Sequence, residues 1–190
     1  MNNINLLFVC QVFHPDTIST SQLFSKLLVE TKKDGTEITR SVGMTDSEDI
    51  QAFIIAERET RAEEEVPLLT TSIKADLNKF SELNKIIKFA NIKMKGVNCL
   101  INNASLFEND SIKNFSIKLW NKHLNINLRA PAILIKQFSK IVPKNIKANI
   151  INIIDQRVFK LTPFFLSYTL SKTGLYTLTK TSAMNLAPNI

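Results

Sequence analysis

Ile150–Pro188 reads IINIIDQRVFKLTPFFLSYTLSKTGLYTLTKTSAMNLAP; it opens as a strand and closes as a helix. Asn149–Ile154 is rich in β-branched residues and almost wholly apolar, the pattern of a parallel strand buried on both faces. Between Tyr168 and Leu186 there is no proline, and Leu170, Leu175, Leu178, Ala183 and Leu186 recur at helical steps, which predicts a helix with an apolar stripe. Tyr168 and Lys172 stand four residues apart, so they share one helix face at about 5–6 Å between Cβ atoms. A phenol with its ordinary pKa near 10 is a poor acid or base at neutral pH, and an ammonium beside it favours the phenolate and lowers that value. Asp155 ends the strand. In a parallel sheet it lies at the carboxyl edge, where open α/β sheets bind their ligands.

Outward from this stretch the same alternation continues. Val97–Ile101 predicts the central strand, and Asn102-Asn103-Ala104-Ser105 suits a tight turn at its carboxyl end. Ile117–Val142 predicts one long or kinked helical pair, with Trp120 and His123 read as packing and surface residues. The break falls at Arg129-Ala130-Pro131, and Asn127 precedes it. Val66–Ile73 predicts a strand and Asn78–Asn91 a helix striped by Phe80, Leu83, Ile86, Ile87 and Ala90, with Gly96 ending the connection. Asp76, between these two elements, suits either a helix N-cap or a ligand contact.

These motifs resemble those of the short-chain dehydrogenase/reductase family. YTLSK is similar to its Tyr-x-x-x-Lys pair, LINNAS (Leu100–Ser105) to its Asn-Asn-Ala-Gly turn, and NINLRAP (Asn125–Pro131) to its Asn-bearing helix. The resemblance covers about residues 73–190. Most members carry Ser where this chain has Asp155; Asp there, with NNAS followed by Phe107, resembles the pteridine reductase branch. It implies an NADPH-dependent reductase that gives hydride to a C=N bond of a pterin or dihydrofolate. Asp155 and Tyr168 would supply the proton, Lys172 would hold ribose hydroxyls and lower the Tyr168 pKa, and Asn127 would order a relay water. Asp76, Asn103, Ala104, Tyr168 and Lys172 would contact the cofactor, and Ser105 and Phe107 the substrate. Phe107 is either a buried ring or a plate stacking on the flat pterin. NADPH rather than NADH follows from the resemblance alone; Arg40, at the end of the second predicted strand, could meet a 2′-phosphate.

Residues 1–72 form a divergent βαβ portion with no such motifs. Ile4–Cys10 predicts a strand, Ser19 or Thr20 caps a helix to about Lys33, Asp34-Gly35 stops it, and Thr36–Arg40 predicts a second strand. Asp46–Glu65 reads as a charged helix. The first turn, QVFHPDTISTSQ (Gln11–Gln22), lacks the glycines that let backbone N–H groups approach a pyrophosphate. It resembles instead the opening of some two-domain glycosyltransferases over about 45 residues, which makes sugar-nucleotide transfer a further expectation. After Ile190 the family pattern would continue with a strand, a Pro-Gly turn and a substrate lid. These departures set a second expectation beside the enzyme: a truncated, non-catalytic remnant that associates through its helices.

Charge divides the chain as the motifs do. Residues 1–73 carry six Lys/Arg and twelve Asp/Glu, while the remainder carries eighteen and five, for a net +7 overall. The lysines of the basic half are scattered, without runs or interleaved aromatics, so they suit a solvated surface and an anionic cofactor rather than nucleic acid. Two histidines argue against a histidine-based metal site or a Ser-His hydrolase. Cys10 and Cys99, both in apolar runs, read as buried free thiols of a reducing compartment. There is no signal peptide pattern and no run approaching the roughly 18 apolar residues of a membrane span. The expectation is a cytoplasmic α/β protein, Rossmann-like, with a mainly parallel sheet, helices on both faces and an incomplete carboxyl side, associating through helices 117–142 and 165–186.

Overall fold

The structure is a computed structural model that describes residues 5–9, 29–31, 37–39, 51–56 and 69–190. Its strands are β1 (Asn5–Val9), β2 (Val29–Thr31), β3 (Glu37–Thr39), β4 (Gln51–Ala56), β5 (Leu69–Lys74), β6 (Cys99–Asn102) and β7 (Asn149–Asn152). Its helices are α1 (Phe80–Lys93), α2 (Ile117–Leu124), α3 (Ala130–Ile141) and α4 (Leu166–Leu186). A π-turn, Asn125–Arg129, joins α2 to α3, and a 3-10 turn, Gln156–Val158, follows β7.

The chain forms two compact units, one of Met1–Gln11 with Ile50–Ile190 and the other of Val12–Asp49. In the second, β2 and β3 pair antiparallel. Val29–Thr31 was expected as the last turn of a helix. The β-branched Val29 and Thr31, with Asp34-Gly35 between the two runs, are hairpin signals instead.

The first unit holds a five-stranded sheet in the order β5-β4-β1-β6-β7. β1, β6 and β7 are parallel, with Leu7 opposite Leu100 and Leu100 opposite Ile150. β4 runs against both β1 and β5, so four of the five strands share one direction. The sheet is Rossmann-like and mainly parallel, as the sequence implies. The division expected between residues 72 and 73 does not coincide with these units, because β1 lies in the same sheet as β6 and β7. Three further expectations are corrected. Gln51–Ala56, read as part of a charged helix, is strand β4; its run Ala52-Phe53-Ile54-Ile55 outweighs the charges that follow. Among the described residues the middle strand is β1, not β6. β7, expected to be buried on both faces, alternates in exposure, with Ile151 45% exposed, because among the described residues it ends the sheet.

α1 packs on α3, α3 on β6 and α4, and α4 on β7, which makes one helical layer on the sheet. The expected helices of a second face fall largely on residues outside those the structure describes. The core between layer and sheet joins Leu7 and Leu100 to Leu83, Ile86, Ile87 and Ala90 of α1 and to Ala130, Leu134 and Phe138 of α3. The predicted stripe of α1 is thus its buried face, apart from Phe80, which is exposed. Gly96, at φ +120°, ends the α1–β6 connection in a conformation that a side chain would strain.

Candidate active site

Two parallel strands end side by side here. β6 stops at Asn102 and β7 at its ladder partner Asn152, and their side chains join: Asn102 Nδ2 donates to Asn152 Oδ1 at 2.8 Å. Asn152 Nδ2 in turn donates to Thr179 Oγ1 of α4 at 2.9 Å. Three amide and hydroxyl side chains therefore fasten both strand ends to the helix that carries Tyr168 and Lys172.

The buried face of α4 only partly follows the predicted apolar stripe. Leu175 is buried and Leu178 and Leu186 pack against the core, but Leu170 is 44% exposed and Ala183 is exposed, and the rest of the buried face is Ser167, Tyr168, Ser171 and Lys172. The first turns of this helix face the site rather than the core, so function sets their pattern. The helix also comes close to the π-turn: a Cβ on Gly174 would lie 2.7 Å from Leu128 Cδ2.

Tyr168 reaches the end of β7, where its hydroxyl donates to Asp155 Oδ2 at 2.9 Å. Asp155 Oδ1 accepts the backbone N–H of Arg157 at 2.8 Å and so caps the 3-10 turn. Lys172 is buried; its Nζ donates to the Ile153 carbonyl at 2.8 Å and lies 5.9 Å from the centre of the Tyr168 ring. Burial pushes the Lys172 ammonium down to about 8, against an opposing pull from Asp155. Burial, then the neighbouring Asp155 carboxylate, pushes the Tyr168 phenol well above its ordinary range. The expectation is that the ammonium lowers it; here desolvation and the Asp155 carboxylate raise it, and the pulls the other way come from Ser105 and Arg157. The arrangement holds Tyr168 as a neutral O–H donor.

Asn127 is fully buried within the π-turn. Ala130 N–H bonds back five residues to the Asn125 carbonyl, and Pro131, which has no N–H, follows. Asn127 Oδ1 accepts Leu106 N–H at 2.8 Å, and its Nδ2 donates to Leu106 O at 2.9 Å and Ser171 Oγ at 3.0 Å. Its amide clamps the loop after β6 to α4.

That loop carries Asn103, Ala104, Ser105 and Phe107. Asn103 Oδ1 and Ser105 Oγ are buried with no hydrogen-bond partner among the described residues, although Ser105 lies close enough to the Tyr168 phenol to oppose its upward shift. Phe107 is neither a core ring nor free: it is 44% exposed, stacks parallel on Phe165 at 4.5 Å and meets Tyr168 edge-on at 4.7 Å. Asp76 stands apart, at the end of β5. Its Oδ1 accepts Asn78 N–H at 2.9 Å and its Oδ2 pairs with Lys79 at 3.6 Å; the α1 N-cap is Lys79, so Asp76 is not that cap. Arg40 and the Gln11–Gln22 turn lie outside the described residues.

Several residues here went unread in the sequence. His123, taken as packing or surface, is fully buried. Its Nε2 accepts Glu108 N–H at 3.2 Å, so the proton sits on Nδ1, which meets Ser167 Oγ at 2.6 Å. Ser167 Oγ donates to Asp110 Oδ2, and Ser167 N–H donates to Asp110 Oδ1 at 3.1 Å. This buried chain ties the loop bearing Ser105 and Phe107 to the first turn of α4. Beside it Phe165 adopts the left-handed conformation (φ 59°, ψ 42°), which costs a non-glycine residue roughly 1–2 kcal/mol. Ring stacking and the Asp110 bonds hold it there. No motif announces these contacts, since Asp110 and Ser167 stand 57 residues apart. Among the described residues no cluster of His, Cys, Asp or Glu would hold a metal, and no helix is long and apolar enough to cross a membrane. Cys99 is a buried free thiol, its pKa raised by burial.

A mainly parallel sheet with a helical layer, and a buried Tyr–Lys pair beside its carboxyl edge, defines a Rossmann-like protein of the tyrosine-lysine type. More specifically, the chain belongs to the short chain dehydrogenase family, which matches residues 35–190. It is 30% identical over 122 residues to the human dehydrogenase/reductase SDR family member 4, covering 64% of this chain and 44% of that one. It is 28% identical over 113 residues to the D-beta-hydroxybutyrate dehydrogenase of Rhizobium meliloti, covering 60% and 44%. Among solved structures it resembles the FolM alternative dihydrofolate reductase 1 of Brucella canis complexed with NADP. That likeness has a TM-score of 0.58 and 42% identity, over 61% of this chain and 47% of that one. The chain spans less than half the length of these relatives. The family match begins well upstream of residue 73, within the stretch likened to glycosyltransferases, and that likeness is not supported.

Proposed function

We propose that this chain carries the catalytic centre of an NADPH-dependent reductase that reduces a C=N bond of a pterin or dihydrofolate-type substrate. The observation that carries the reading is the 2.9 Å hydrogen bond from Tyr168 to Asp155, beside a buried Lys172. The 42% identity to an alternative dihydrofolate reductase complexed with NADP supports the substrate and cofactor. The unpartnered, buried Asn103 Oδ1 fits a cofactor contact, and the Lys172 ammonium, bonded to Ile153, retains N–H donors for hydroxyls. In this reading Asp76, Asn103, Ala104, Tyr168 and Lys172 hold NADPH, which supplies the hydride.

The chain's residues manage the proton. Tyr168 stays protonated because burial and Asp155 penalise its anion. As negative charge grows on the substrate nitrogen, that nitrogen becomes the stronger acceptor. The Tyr168 hydroxyl turns from Asp155 Oδ2 and gives up its proton, leaving a phenolate beside the Lys172 ammonium. Asp155 holds the hydroxyl in place beforehand. Ser105 Oγ donates to the substrate, and the exposed part of Phe107 supports its ring. Asn127 acts by holding the loop that bears both. Association through residues 117–142 and 165–186 belongs to this reading, and solution mass by light scattering tests it.

The test of the chemistry is NADPH oxidation with dihydrobiopterin or dihydrofolate. Tyr168→Phe removes the acid and lowers kcat by roughly 100- to 10,000-fold. Equal rates in variant and parent would sink the reading. No NADPH binding by the full chain would favour the non-catalytic remnant.

A further inference from the structure

The proposed proton transfer makes no use of Arg157, although this residue lies inside the site. It sits in the 3-10 turn after Asp155, and the turn directs its side chain back across the Phe107–Phe165 stack. The guanidinium is 5.0 Å from the centre of the Phe107 ring and 4.5 Å from that of Phe165. The two rings are parallel within 4°. Nη1 stands 3.8 Å from Asp155 Oδ1, an ion pair too long for a hydrogen bond. The side chain is 24% exposed, and its Nε is buried with no acceptor among the described residues.

A guanidinium brings five N–H donors in a fixed plane. Burying its Nε–H without an acceptor is costly unless something else supplies one. Ser105 Oγ, also buried and unpartnered, lies near the Tyr168 phenol that Arg157 influences electrostatically. Unmet polar groups gathered around one reactive hydroxyl mark a surface shaped for a ligand. Planarity restricts the choice, because Nε and one Nη donate in parallel and match two neighbouring acceptor atoms.

We propose that Arg157 is the specificity-determining residue of this site: its guanidinium, packed beside Phe107 and Phe165, clasps two adjacent acceptor atoms of a planar substrate. The identity of that substrate rests on the reductase reading above. Paired acceptors come from two sources in such a molecule. One is a ring nitrogen beside a ring carbonyl, the edge by which arginine reads guanine. The other is a side-chain carboxylate, which dihydrofolate has and dihydrobiopterin lacks.

The experiment measures kcat and KM for both substrates with the full chain, Arg157→Met and Arg157→Lys. Loss of the clasp raises KM on the order of 10- to 100-fold in the Met variant. The Lys variant keeps the charge beside Asp155 but loses the fork, so it recovers only a minor part. A rise for both substrates assigns the ring edge; a rise for dihydrofolate alone assigns the carboxylate. An unchanged KM for both in Arg157→Met, or full rescue by Lys, overturns the proposal, since an ion pair serving only Asp155 would accept either cation. Should the parent turn over neither substrate, the reductase reading fails, and benzoate, a flat ring with one carboxylate, becomes the probe. Saturable movement of the Arg157 Nε–H resonance, with binding lost in Arg157→Met, would then sustain the proposal. Equal benzoate binding by parent and variant would end it.

Discussion

Lys172→Met replaces a buried ammonium with an apolar chain of similar length, and the structure fixes how its effect depends on pH. The ammonium is lowered from 10.5 to about 8 because burial penalises its charged form. Its folded value is depressed, so the native state is at full strength above the unfolded pKa and loses stability as pH falls from 10.5 to about 8. Below that the loss is constant. At 1.36 kcal/mol per unit, it amounts to about 3 kcal/mol. The Ile153 hydrogen bond returns about 1 kcal/mol of the kind that Met forfeits. At pH 7, therefore, the variant should exceed the parent by about 2 kcal/mol. Raising pH to about 9.5 relieves most of the penalty, and the parent should gain about 2 kcal/mol on the variant. Urea denaturation of both proteins at the two pH values, followed by circular dichroism, measures that difference. Tyr168 is present in both and its upward-shifted pKa costs stability only above its ordinary value near 10, so it cancels. A stability difference that does not change between the two pH values would refute the reasoning. A confirmed gain at pH 7, with cofactor affinity lost, would identify Lys172 as a charge kept at the expense of the fold.

The buried chain behind Tyr168 makes two further predictions. Asp110→Ala strips the acceptor from both the N–H and the hydroxyl of Ser167 and should destabilise the fold on the order of 3 kcal/mol, measured by urea denaturation; a loss under about 1 kcal/mol would deny the network. Burial lowers the His123 pKa, with Asp110 and Glu108 opposing; the stability it contributes is present above 6.5 and is lost as pH falls below that value. Its ring should therefore be neutral and protonated on Nδ1 at pH 7, and a long-range proton–nitrogen spectrum showing imidazolium there would contradict the geometry.

Much of the site was legible because its chemistry is local. Tyr168 and Lys172 share a helix face by spacing alone, Asp155 follows its strand directly, and Asn102–Ser105 follow theirs. A chain that alternates strand and helix brings successive strand ends to one edge, so these motifs meet without a knowledge of contacts. The strands at Leu69–Lys74, Cys99–Asn102 and Asn149–Asn152, and the helices at Phe80–Lys93 and Leu166–Leu186, follow the same period rules. The sequence misled where charge and apolar runs adjoin. Gln51–Ala56 is strand β4 because its partners β1 and β5 offer a ladder, and pairing across that distance leaves no trace in a local window.

What the sequence by itself determined is the fold class and the residues that carry reactive groups. The tertiary structure alone decided their electrical state and their support. A four-residue spacing told of an amine beside a phenol, but how deeply the phenol is buried, and that a carboxylate is its nearest charge, emerged only when β7 and α4 met. His123, Asp110 and Ser167 look ordinary along the chain and become one buried unit by folding, and Arg157 becomes a planar donor on two rings in the same way. Spacing sets geometry within an element, whereas burial, hydrogen-bond partners and the resulting pKa values depend on distance through space.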